Sequence, residues 1–133
     1  MMSRVRPEAP SFRELARCLG AEPKVKLLRK GSSLCAGYSG CSFYVERKNA
    51  VTPGGVKLLA RWAKRGVVKA PDERRAMLFL YGKDLFEFEL VEPPCERGYV
   101  LVYWDDVLLG LGMIKKGIVL NLLDFGEFLR RGY

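Results

Sequence analysis

Four cations, Lys57, Arg61, Lys64 and Arg65, fall at i, i+4, i+7 and i+8. On a helix that spacing gathers them within about 100° of arc, opposite Val56, Leu59, Ala60 and Ala63. A charged stripe is ordinarily the solvated side of an amphipathic helix. Here every charge is positive, and like charges at i, i+4 weaken a helix. Fixed cations gathered on one face suit the phosphates of a nucleic acid. Lys69, Arg74 and Arg75 follow soon after and are further RNA-contact candidates on charge alone.

Other residue types point away from catalysis. There is no His, which removes Ser-His-Asp and Cys-His chemistry and His-ligated metals. Asp105 and Asp106 are adjacent between two strand-like runs, where Asp residues form turns. Gly110-Leu111-Gly112 lacks the third glycine and the following helix of a dinucleotide fingerprint, and marks a bulge or a close backbone approach. Cys18, Cys35, Cys41 and Cys95 contain no C-x-x-C pair, so neither a zinc ribbon nor a thioredoxin-like site is expected. The simplest expectation is four buried thiols. The alternative is a disulfide, with Cys35 and Cys41 the nearest pair. No enzyme activity, cofactor, metal or small-molecule substrate is expected.

The chain has 133 residues and a formal net charge of +8, from 23 Lys and Arg against 15 Asp and Glu. That charge favours a polyanionic partner, nucleic acid before a membrane surface. The charge is uneven. Residues 1–66 hold 14 basic and 4 acidic side chains, and residues 67–133 hold 9 and 11. Two modules are expected, 1–66 and 67–133. No apolar run reaches membrane-spanning length and the N-terminus has no signal-like segment, so an intracellular, cytoplasmic protein is expected. Gln is absent and Asn occurs only twice, a scarcity of thermolabile amides that points to a thermophilic source.

The elements that must position these residues follow from local signals. Ser11-Phe12-Arg13-Glu14 is a capping box, and Phe12, Leu15, Ala16 and Leu19 form the apolar face of a helix ending at Gly20. Strands are expected over 24–28, 34–36 and 42–46. Thr52-Pro53 opens a helix over 53–65, with Gly66 past its end. Then come a strand at 67–69, a helix over 71–80 ending at Gly82, and strands over 85–91, 99–104, 107–114 and 117–123. Asp124 with Glu127 is a second capping box, stapled by Leu123 and Phe128, opening a last helix to about Arg131. The fold class expected is α+β: a small N-terminal α/β domain, then a small antiparallel barrel or curled sheet with two helices beside it.

Four ordered segments of the second module resemble a PUA domain, an RNA-binding pseudo-barrel. They are Phe79-Leu80-Tyr81-Gly82-Lys83, Gly98 to Val102, Asp106 to Gly112, and the closing Asp124-Phe125-Gly126-Glu127-Phe128-Leu129-Arg130, with Lys83 counted beside its glycine turn. With Leu59 to Lys64, Phe12 to Gly20 and Phe43-Tyr44-Val45, the whole chain resembles the archaeal-type Nip-seven family of large-ribosomal-subunit biogenesis factors. The stretch Glu46–Gly55 and the turn Lys115-Lys116-Gly117 are shorter than that family's. The resemblance implies RNA contact by Lys83 at the glycine turn, by Arg130 and Arg131 in the closing helix, and by Lys115 and Lys116 at a nearby strand end. It implies a ribosomal RNA precursor as partner, together with ribosome-assembly or RNA-processing proteins, and no membrane. The rival expectation is a specificity module for an RNA-modifying enzyme such as an RNA cytosine methyltransferase. A third is an adaptor for an acidic protein.

Overall fold

Ser11 opens the first helix in the computed structural model, which describes residues 7–37 and 39–126. Its hydroxyl accepts from the Glu14 amide at 3.1 Å, and α1 (Phe12–Leu19) closes on Gly20 in the left-handed conformation. The other half of the capping box is diverted. The Glu14 carboxylate accepts from the Tyr99 hydroxyl at 3.5 Å and lies 3.7 Å from Arg97. Burial, then the Glu14 charge, raises the Tyr99 pKa. The stabilisation tied to its neutral phenol is therefore held at neutral pH and lost as pH climbs through that raised value.

The Phe12 amide, an orphan of the first turn, donates at 2.8 Å to the carboxylate of Glu46, which is 4% exposed. Glu46→Ala leaves that buried amide unserved and is expected to cost about 1–3 kcal/mol. Glu46→Gln keeps an acceptor and should recover most of the loss in urea denaturation.

Four strands follow as an antiparallel meander: β1 (Lys26–Lys30), β2 (Ser33–Gly37), β3 (Phe43–Arg47) and β4 (Ala50–Val51). The first three lie within two residues of expectation. β4 was not foreseen; Lys48 and Asn49, both with positive φ, turn the chain into it. Next comes α2 (Pro53–Ala60), capped by the Thr52 hydroxyl accepting from the Gly55 amide. The expected continuation to residue 65 is corrected. After Ala60 the Lys64 and Arg65 amides donate to the Leu19 carbonyl at 2.8 and 3.3 Å. That partner draws the chain out of the helix and toward the second sheet.

The second sheet has the order β6-β5-β7-β8-β9. Its strands are β5 (Val67–Lys69), β6 (Glu89–Glu92), β7 (Tyr99–Trp104), β8 (Val107–Lys115) and β9 (Ile118–Asp124). Helix α3 (Glu73–Leu80) leaves β5 and is capped by Asp72, so it starts two residues later than expected. The strand expected at 85–91 is confined to β6, with Leu85 forming an isolated bridge to Val119. The mixed α+β class stands, but the purely antiparallel sheet does not. β5 pairs parallel with β7 because α3 and β6 form the crossover between them.

The central strands of the second sheet, β7 and β8, are buried on both faces. Leu101 and Leu111 join Phe12, Leu15, Leu19, Val56 and Leu59 in one core, while Val100, Val102 and Val119 pack with Phe79 and Leu80 in another. This follows the period of two along β7. Helices α1 and α2 therefore cover one face and α3 the other. Gly110 and Gly112 lie where β9 approaches most closely. A Cβ on Gly110 would collide with the Leu123 carbonyl, as the close-approach reading requires.

The expectation of four buried thiols is corrected. Cys35 pairs with Cys41 and Cys18 with Cys95, at Cα separations of 5.4 and 5.3 Å. The second pairing joins α1 to the loop between β6 and β7, across 77 residues of sequence.

Candidate nucleic-acid interface

Two segments that resembled a PUA domain meet. The end of α3 and Gly82 lie against Asp124-Phe125-Gly126. A Cβ on Gly126 would collide with the Leu80 carbonyl, and Gly82 would meet Asp124. Asn121, 1% exposed on β9, fastens the junction. Its side-chain amide donates to the Phe79 carbonyl at 2.8 Å and to the Lys83 carbonyl at 3.4 Å. Its backbone amide donates to Asp84 at 2.8 Å. Lys83 is thereby held beside the middle of β9.

The turn Lys116-Gly117 joins β8 to β9, with Lys115 opposite Ile118. Asn121 is three residues beyond Ile118, about 10 Å along the strand. Lys115 and Lys116 therefore sit at the turn that starts β9, Lys83 lies about 10 Å further along that strand, and all three are exposed. Among the described residues none of them pairs with a carboxylate.

The other candidates divide. Lys69 pairs across the ladder with Glu89 and Tyr103, and Tyr103 pairs with Leu108. Leu108 is seven residues from Lys115 on β8, which puts Lys69 more than about 20 Å from that turn. Arg75 is engaged: it pairs with Asp72 and, at 3.2 Å, with Glu87. The Arg75 amide and guanidinium hold the Asp72 carboxyl below its usual pKa. Arg74 is exposed on the first turn of α3. Arg130, Arg131, Glu127 and Phe128 lie outside the described residues.

The stripe on the first module is also split. Lys57 and Arg61 line a groove of about 350 Å³ with Phe43, Gly54 and Leu58. The Lys57 ammonium sits 5.5 Å from the Phe125 ring centroid, so this groove abuts the closing segment of the second module. Arg65 instead lines a cavity of about 420 Å³ beside the Cys18–Cys95 bridge, with Arg17, Arg97, Glu14 and Glu96. Lys64 is exposed in the connecting segment. Sequence reasoning did not select Phe43, 40% exposed in a groove with two cations, a pairing suited to stacking a base beside held phosphates. Its position next to Tyr44 on a strand was the one available signal.

Among the described residues no three His, Cys, Asp or Glu side chains gather as a metal site, and no helix is long and apolar enough to cross a membrane. No curated protein matches the chain. Residues 68–133 match a family model, the UPF0113 PUA domain. PUA domains generally bind RNA, which supports an RNA-binding role and suggests a non-catalytic module. The matched residues begin within β5 and take in the glycine turn and the segment packed against it, so the chain carries a C-terminal PUA domain.

Proposed function

We propose that the chain is a non-catalytic RNA-binding protein that assists ribosomal RNA maturation and large-subunit assembly, in the manner its resemblance to the Nip-seven family implies. The observation that supports it is the exposure of Lys83 beside the glycine turn of a PUA domain and of Lys115 and Lys116 about 10 Å along β9, all three free of carboxylate partners among the described residues. The basic module over 1–66 and the PUA domain over 67–133 act together. Lys57 and Arg61, in the groove beside Phe125, contact the RNA at one end of β9 and Lys115 and Lys116 at the other, about 20 Å away, with Lys83 between them and with Arg130 and Arg131 added by the family resemblance. Lys64, Arg65, Lys69, Arg74 and Arg75 flank these contacts. Its partners are a ribosomal RNA precursor and the assembly proteins found with it.

Crosslinking the protein to RNA in its own cells and sequencing the bound RNA tests this. Reads concentrated in large-subunit ribosomal RNA precursors are the expected result. Reads on other RNAs, with a methyltransferase co-purifying, would replace it with the role of a specificity module.

A further inference from the structure

The strongest single-sign patch lies away from the contacts described above. Residues 24–51 contain six cations, Lys24, Lys26, Arg29, Lys30, Arg47 and Lys48, and one carboxylate, Glu46. Glu46 is buried on the helix side of the first sheet and is occupied by the Phe12 amide. The sheet's inner face, with Leu34, Ala36, Val45 and Val51, belongs to the core shared with α1 and α2. Its outer face carries cations, and within 24–51 no second carboxylate offsets them.

Strand register determines which side chains share that outer face. Lys30, Ser33 and Arg47 form one cross-strand row, and Leu28, Cys35 and Tyr44 form the next. Lys26 lies two residues from Leu28 and so points the same way. At about 4.8 Å per strand, the Lys30 and Arg47 backbones are about 10 Å apart. Tyr44 and Arg47 are three residues apart and would ordinarily face opposite sides. The register shift between Leu34 and Cys35 sets both Val45 and Glu46 inward and returns Tyr44 and Arg47 to one face. There the Arg47 guanidinium lies 4.2 Å from the Tyr44 ring centroid. Lys26, Lys30 and Arg47 are exposed.

We infer that this outer face is a second RNA-contacting surface, on which Lys26, Lys30 and Arg47 hold the phosphates of a single-stranded segment while a base stacks at the Tyr44–Arg47 pair. The inference rests on the RNA-binding reading and extends it to a surface that reading does not use. Cys35, in the middle of this face, is buried and bridged to Cys41, and the exposed cations and the aromatic ring around it suit a flexible strand, whose bases are free to stack. An acidic protein partner would need an apolar centre to its interface, and among the described residues Leu28, 39% exposed, is the one large exposed apolar side chain on this face.

The test uses the full chain, a labelled single-stranded oligouridylate and fluorescence anisotropy over a salt series. Replacing Lys26, Lys30 and Arg47 together by Ser should lower the logarithmic salt slope by about 2, near 0.7 for each phosphate released, and weaken binding about 100-fold near 0.1 M salt. Tyr44→Leu should weaken binding roughly tenfold with the slope unchanged, since stacking releases no counterions. Photocrosslinking of the unaltered protein should place an adduct on Tyr44. If the parent binds RNA and the folded triple variant keeps the parent's slope, this surface is wrong and the PUA reading stands. Adducts found elsewhere but never on Tyr44 overturn it as well. A parent that binds no RNA overturns both readings. Polyglutamate competing as well as oligouridylate would hand the face to an acidic protein.

Discussion

Removing the Cys18–Cys95 bridge should lower the unfolding free energy by about 4.5 kcal/mol, because it releases a closed loop of 77 residues in the unfolded chain. The same chain-entropy relation assigns the Cys35–Cys41 bridge, with a separation of 6, only about 2 kcal/mol. Comparing the Cys18→Ala/Cys95→Ala and Cys35→Ala/Cys41→Ala variants by urea denaturation therefore predicts a ranking as well as a size. The first pair should lose about twice as much as the second. Equal losses would show that strain or residual unfolded structure, rather than loop closure, sets the contribution.

Salt should act on binding with comparable force. Lys57, Arg61, Lys83, Lys115 and Lys116 supply five cations along the length of β9, before any contribution from residues outside those described. Taken without the sheet face of the first module, these five cations give a logarithmic slope near −3.5 on a single strand, about 0.7 each. Raising salt from about 50 to about 200 mM should then weaken oligouridylate binding roughly 100-fold. Anisotropy across that range reads it directly. A slope near zero would mean that base stacking, at sites such as Phe43, carries the affinity instead. Replacing Lys83, Lys115 and Lys116 by Ser should lower the slope by about 2 while leaving the sheet face of the first module intact.

The parts of this molecule legible in its sequence are those whose causes are local. Ser11 and Thr52 were readable as caps because the amide each serves lies three residues away. Asp72, the cap of α3, fell inside the helix expected over 71–80. The turns at Asp105 and Gly117 were readable because few residues tolerate positive φ. The end of α2 was not readable, because the group that terminates it, the Leu19 carbonyl, is 45 residues away from Lys64. Cys18 and Cys95 met through the fold alone, while Cys35 and Cys41 flanked one turn.

The site divides in the same way. Lys57 and Arg61 stayed together because one helical turn separates them. Lys69 and Lys115 parted because the length of β8 lies between their ends of the sheet. Phe43 could not be selected without knowing that α2 packs beside it.

The sheet carrying the PUA domain shares one of its two cores with α1 and α2 of the first module. A joint of this kind has no hinge. Cutting before Val67 would strip the cover from Tyr99, Leu101 and Leu111, leaving an oily face on the remaining fragment. The intact chain should therefore melt as a single cooperative unit, with calorimetric and van't Hoff enthalpies in agreement. A protein that melts as one body keeps its basic surfaces at a constant spacing, and an RNA touching both must conform to that distance.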